Sequence, residues 1–172
     1  MVRDRLVQTH LDPRVISLDI ECLNLIQPTP AREWLLTHGR LSLEELARRF
    51  SLTGELRVRV VRDDEMTALH ARTMDIDETT DVLTFNLLEG EPDSDGRIDA
   101  DIVICVDEAS RQAKRRNHSV EKELLLYIVH GALHCVPGFD DIDDADAQRM
   151  HATEDEILRA VGVGPVYSSQ YD

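Results

Sequence analysis

The segment from Ser119 to about Cys135 constrains this chain more than any other. Ser119 can cap a helix, and the residues that follow leave it no polar face, with Leu124 to Val129 unbroken and Leu133 beyond. A helix that is apolar all round must run through the middle of a core with other elements packed about it. The unbroken run is far shorter than the roughly 20 residues of a membrane span. It ends in His130, and His134 follows one turn later. At 3.6 residues per turn both imidazoles fall on one face, a spacing that suits two ligands of one tetrahedral metal. The same spacing also arises without a metal, so the residues that come next carry weight. They are Pro137-Gly138-Phe139-Asp140-Asp141, a tight turn able to fold a carboxylate back over the histidine face. Two histidines and one carboxylate would leave the fourth position of the ion to water, the layout of a catalytic site.

Around that helix the pattern predicts an α/β domain of the α+β type, with a small mixed sheet of about four strands and five or six helices. Ile16, Leu18, Ile20 and Cys22 alternate with polar residues and read as a strand, as do Leu56, Val58 and Val60 between Arg57 and Arg59. Val82 to Leu87 and Ile102 to Val106 suit central strands, with Glu89 to Asp99 as a loop between them. A helix is expected from Thr29-Pro30 to about Gly39, and a second from Ser42, boxed by Glu45, to Phe50. Others follow from Asp63-Asp64, from Asp107 to Asn117, and from about Asp144 to Val161. At 172 residues the chain holds one domain, 14–163, between tails 1–13 and 164–172.

The formal net charge is −15, from 34 acidic and 19 basic residues. Such a protein repels phosphate at long range, but beyond roughly 8 Å physiological salt screens the total and local patches decide. Two basic groups stand out: Arg57, Arg59 and Arg62, and Arg111, Lys114, Arg115 and Arg116. A solvated face is the plain alternative for each. Cys22, Cys105 and Cys135 are odd in number and sit in apolar stretches, as reduced core thiols of a cytoplasmic protein would. His10, His38, His70 and His118 have no partner at ligand spacing and read as surface residues, and His151 as exposed on the last helix. No apolar segment near Met1 suits a leader, and no membrane association is expected.

His130-Gly-Ala-Leu-His134 with Gly138-Phe139-Asp140-Asp141 resembles the signature of the YbeY family, His-Gly-x-Leu-His, two residues, then Gly-Tyr-Asp-His. Thr80-Asp81-Val82-Leu83-Thr84-Phe85 and Asp101-Ile102-Val103-Ile104-Cys105 resemble that family's strands in the same order. His118-Ser119-Val120-Glu121 and Met150 to Leu158 also fit, so the likeness spans about residues 14 to 166. It implies a metal-dependent, single-strand-specific endoribonuclease of ribosomal RNA maturation and quality control. It further implies one zinc or other transition metal ion per chain, and partners drawn from RNA, ribosomal proteins and assembly factors. The ligands it implies are His130, His134 and Asp141, the last standing where the family has a third histidine; Asp140 is the alternative. Three residues rather than two separate His134 from Gly138. An active-site arginine in a family Arg-Gly pair aligns with Met74-Asp75, which makes Arg72, two residues earlier, the candidate for phosphate contact.

Two rival readings have their own chemistry. A zinc protease of the His-Glu-x-x-His type needs a glutamate where this chain has Gly131. A non-catalytic ribosome-assembly factor would use the metal as a structural clip and its acidic surface to meet basic partners.

Overall fold

The computed structural model describes residues 15–88, 96–140 and 142–166. Four strands, β1 Ile16–Glu21, β2 Thr53–Val61, β3 Val82–Asn86 and β4 Arg97–Cys105, form one sheet in the order β1-β2-β4-β3. β1, β2 and β4 are mutually parallel along that order, and β3 is antiparallel to β4. The described helices are α1 Thr29–Phe50, α2 Asp63–Met74, α3 Val106–Arg116, α4 Val120–His134 and α5 Asp144–Ala160, with a short 3-10 turn at Leu23–Leu25. This is the mixed α/β sheet with packed helices that the pattern predicts.

The period-2 alternation of the strands divides the sheet into two unequal faces. Leu56, Val58 and Val60 of β2 and Ile98, Ile102 and Ile104 of β4 point into the main core, against α1 and α4. The helix that is apolar all round takes the central place: its leucines, Ile128, Val129 and Ala132, from Leu124 to Leu133, are all buried. At roughly 1.5–3 kcal/mol for each fully buried Leu or Ile, that burial outweighs any preference of the helix for another site. On the other face Val61, Leu83, Val103 and Cys105 form a smaller core under Met66 of α2. Farther along the same strands Arg57 bonds Glu55, Asp99 and Asp101 across open sheet.

Several expectations give way here, each for a physical reason. Thr29 to Phe50 is one helix, not two, and Gly39 is buried inside it. A Cβ at Gly39 would come within 2.8 Å of Leu18 Cδ2, so the glycine permits α1 to approach β1 rather than ending the helix. Ser42 is buried in that helix, and Glu45 bonds Arg48 and Arg49 instead of closing a capping box. β4 begins at Arg97, earlier than Ile102, because Asp99 and Asp101 alternate outward while Ile98 and Ala100 point inward. Residues 89–95 of the expected loop lie outside the described residues. Asp107 does not cap α3; its carboxylate accepts the backbone N–H of Asp63 and so caps α2. Cys22 is exposed, whereas Cys105 and Cys135 are buried free thiols. The core also continues past 163: Val166 is fully buried, and its N–H donates to Asp155 at 2.8 Å. None of the described helices is long and apolar enough to cross a membrane.

Candidate metal centre

α4 presents its two histidines beside β3, because position 131 between them carries no side chain. A Cβ at Gly131 would stand 2.6 Å from Ile102 Cδ1 and 2.8 Å from Thr84 Oγ1. The helix therefore lies directly on β3 and β4, with His130 and His134 turned along the sheet surface toward a cleft of about 430 Å³. Asp81, Thr84 and Asn86 wall the cleft, and Met74 stands at its rim. The same contact answers the protease reading: the position where that chemistry needs a glutamate points into packed sheet.

The two rings meet edge to face, with centroids 4.6 Å apart and planes at 84°. His130 Nε2 and His134 Nε2 are 3.0 Å from each other. Two nitrogens each about 2.0–2.1 Å from one tetrahedral zinc lie roughly 3.3 Å apart, so the pair is set at nearly the separation such an ion requires.

What aims His130 is Glu154 of α5, fully buried, whose Oε1 accepts a hydrogen bond from His130 Nδ1 at 2.7 Å. Its other oxygen is 3.1 Å from His151 Nδ1. Burial pushes the Glu154 carboxyl up, but the hydrogen bonds to His130 and His151 outweigh it and hold the group below its usual range. An ionised carboxylate on Nδ1 keeps the proton there and leaves the Nε2 lone pair for a metal, the carboxylate–histidine pairing common around zinc. Glu154 was not singled out from sequence, and His151, read as exposed, is half-buried on this carboxylate. A signal did exist: Glu154 lies four residues after Met150 and four before Leu158, on the apolar face of α5.

The turn after α4 is held from both sides. Gly138 takes φ +82°, Phe139 packs edge-on to Phe50 at 5.2 Å, and Arg149 donates to the Gly138 carbonyl while covering the Phe139 ring. This brings Asp140 Oδ1 to 3.9 Å from His134 Nδ1, where both line a second cavity of about 260 Å³ bounded by Asn86 and Phe139. Asp141, the expected third ligand, lies outside the described residues. Among the described residues no group of three or more His, Cys, Asp or Glu side chains is placed to hold a metal. Cys135 adds no ligand: burial pushes its thiol up to about 11, and its Sγ faces the Gly131 carbonyl.

The cations expected near substrate are elsewhere engaged. Arg72 is exposed on α2 with Nε on the Ala68 carbonyl, and it is not among the residues lining the cleft. Arg59 pairs with Glu65, Arg62 with Asp107, Arg111 with Asp63 and Glu108, and Arg116 with Glu123. His118, read as a surface residue, is largely covered, with Nε2 3.0 Å from buried Glu123 Oε2. Met74 ends α2, and Asp75 follows at φ +59°, the left-handed conformation that suits the glycine of the family's Arg-Gly pair.

A family description, Endoribonuclease YbeY, matches residues 29–162. Endoribonuclease YbeY of Staphylococcus saprophyticus is 39% identical over 114 residues, covering 64% of this chain and 74% of that protein. The Heliobacterium modesticaldum protein of the same name is 34% identical over 148 residues, covering 79% and 88%. A Thermotoga maritima protein solved in solution superimposes with a TM-score of 0.54 at 25% identity, over 85% of this chain and 91% of its own. The chain belongs to the YbeY family of endoribonucleases.

Proposed function

We propose that this protein is a cytoplasmic, single-strand-specific endoribonuclease of ribosomal RNA maturation, with one zinc ion held by His130, His134 and Asp141. The observation that carries the reading is the convergence of His130 Nε2 and His134 Nε2 at 3.0 Å, with Glu154 behind His130, beside an open cleft in a chain of this family. When bound there, zinc lowers the pKa of a water toward about 7 and offsets charge on a phosphoryl transition state. The protein's own residues do the rest. Glu154 fixes the tautomer and direction of His130, and Gly131 lets the helix lie close enough to β3 for Thr84 and Asn86 to face the same space. Arg149 holds the turn at Gly138 and Phe139, ahead of the proposed third ligand in the chain. Ribosomal RNA is the substrate proposed, with ribosomal proteins or assembly factors as partners.

Metal analysis of the purified protein, followed by cleavage of a single-stranded RNA with and without chelator, tests this. About one transition metal per chain is expected, with cleavage lost in chelator and regained on adding zinc. Cleavage that persists in chelator, or casein turnover with RNA untouched, would overturn it.

A further inference from the structure

An open sheet ends in two strands that pair on one side only, and the order β1-β2-β4-β3 makes β3 one of them. The register fixes which of its backbone groups are left over. Leu87 N–H donates to the Asp99 carbonyl at 2.8 Å, and Cys105 N–H to the Asp81 carbonyl at 2.9 Å. With Val82 opposite Ile104 and Asn86 opposite Ala100, Leu83 and Phe85 share that phase and turn their N–H and C=O groups toward β4. Val82, Thr84 and Asn86 point theirs the other way, off the sheet.

Both ends of this free edge are closed by side chains. Asp81 Oδ1 accepts the Val82 N–H at 2.9 Å, and Asn86 Oδ1 accepts the Leu88 N–H at 3.1 Å. Between them the N–H and C=O groups of Thr84 and Asn86 have no partner among the described residues. Both residues line the cleft with His130 and His134, and Asn86 also lines the second cavity with Asp140. Unpaired main chain thus runs beside the histidine pair.

The charge around that edge decides what it can take. Nucleic-acid affinity comes largely from Lys and Arg neutralising phosphates. No Lys or Arg lines either cavity among the described residues, whereas Asp81 and Asp140 do, and the chain carries a net −15. A phosphate there would meet carboxylates, and a carbonyl oxygen beside each free N–H. A nucleobase is uncharged, and its Watson–Crick edge sets a donor next to an acceptor. One strand residue offers the same pairing from its free side.

We infer that Thr84 and Asn86 hold unpaired nucleobases through their main chain, each N–H donating to a base acceptor and each C=O accepting from a base N–H. The inference rests on the nuclease reading and names the part of the RNA that the cleft grips. In a duplex the Watson–Crick edges are taken up by the opposite strand, so a strand edge used in this way selects single strands.

The test is binding of fluorescein-labelled oligouridine to the full chain as purified, read by stopped-flow anisotropy before turnover, against the same oligomer built from N3-methyluridine. The methyl group leaves the phosphates and ring faces in place and blocks the Watson–Crick edge. Methylation is expected to weaken binding about tenfold or more, as loss of a paired donor and acceptor does. Asn86→Pro removes one outward N–H and no bond to β4, at a place where an edge strand accepts proline. Asn86→Ala is its control, since both variants lose the side chain that caps Leu88. The proline variant should hold oligouridine about tenfold less tightly than the alanine variant, with metal content equal, and methylation should then cost it little more. The oligomer comparison needs no variant, so a misfolded Asn86→Pro does not shelter the inference. Equal affinity of the wild type for the two oligomers overturns it, as does equal affinity of the two variants for oligouridine. A proline effect without a methylation effect gives the edge to phosphate, and a proline effect confined to an extended peptide gives it to a protein strand; either result overturns it. Because binding is read apart from turnover, RNA held in this way and never cut sinks the nuclease, and RNA cut with binding indifferent to both changes sinks the edge.

Discussion

The two ends of α4 hold buried polar clusters that differ in one respect. Glu123, Tyr127, His130 and His134 recur at intervals of four, three and four residues and so share one face of an otherwise apolar helix. At the N-terminal end Glu123 is fully buried, with Arg116 at 2.7 Å and His118 at 3.0 Å, and the cluster is shut inside protein between α3 and α4. At the C-terminal end Glu154 is just as buried, but the histidine it holds turns its other nitrogen toward a cleft. Both ends contain a carboxylate, a histidine and low polarity around them. At the second end the histidines line a cleft, 17% and 24% exposed against 9% for His118, and that access is what separates a structural ion cluster from a reactive one.

Substitutions at the two ends should therefore have different readouts. His130→Ala or His134→Ala is expected to remove bound metal and RNA cleavage together while the protein stays folded; full metal occupancy in both would move the site elsewhere. Glu123→Ala removes the buried carboxylate that both Arg116 and His118 meet, a loss of about 3 kcal/mol or more in unfolding free energy. The metal content of whatever remains folded should be normal, and a metal-free but stable Glu123→Ala protein would erase the distinction between the ends.

Two smaller changes sharpen the comparison at the reactive end. Glu154→Gln keeps the shape but weakens the hold on the His130 tautomer, and zinc affinity should fall about 10–100-fold by competition titration. Asp141→Ala should lower it beyond tenfold and Asp140→Ala much less; equal, near-wild-type affinities would leave the third ligand unassigned.

The smallest effect belongs to an exposed ion pair away from both ends. Arg111, then the thiol and hydroxyl of Cys105 and Thr79, hold the Asp63 carboxyl down at about 2, against burial. A carboxyl depressed by folding contributes stability above its unfolded pKa near 4 and loses it as pH falls toward 2. Because this pair is well exposed, Asp63→Asn should cost less than about 1 kcal/mol at neutral pH. The gap to wild type should close between about pH 4 and pH 2 in acid-unfolding curves, and a gap that widens there would contradict the assignment.

Much of this was legible before any coordinates. An all-round apolar helix has one possible place, and two histidines on it at one-turn spacing can only share a direction, so α4 and the paired imidazoles follow from local pattern. What escaped depends on contacts between distant segments. Gly39 looks like a stop until β1 is seen to need the space, and Arg97 to Asp99 look like loop until Asp99 is matched to Arg57 on the neighbouring strand. Glu154 is 24 residues from the histidine it aims. The arginine groups read as basic patches because sequence shows the charges and not the carboxylates that fold against them.

Gly131 bears on what this scaffold can become. Any side chain there must displace Ile102 and Thr84, and with them the seating of α4 on two strands. The interval between the two histidines is consequently closed to innovation: no acid, base or further ligand can be introduced on that turn without loosening the helix that carries the pair. Novelty is left to the turn from Pro137 onward, past the buried Cys135 and Val136, where surface loops best tolerate changes of length. That is where this chain departs from the family signature it resembles, and where a change in what the histidine pair holds would be easiest to select.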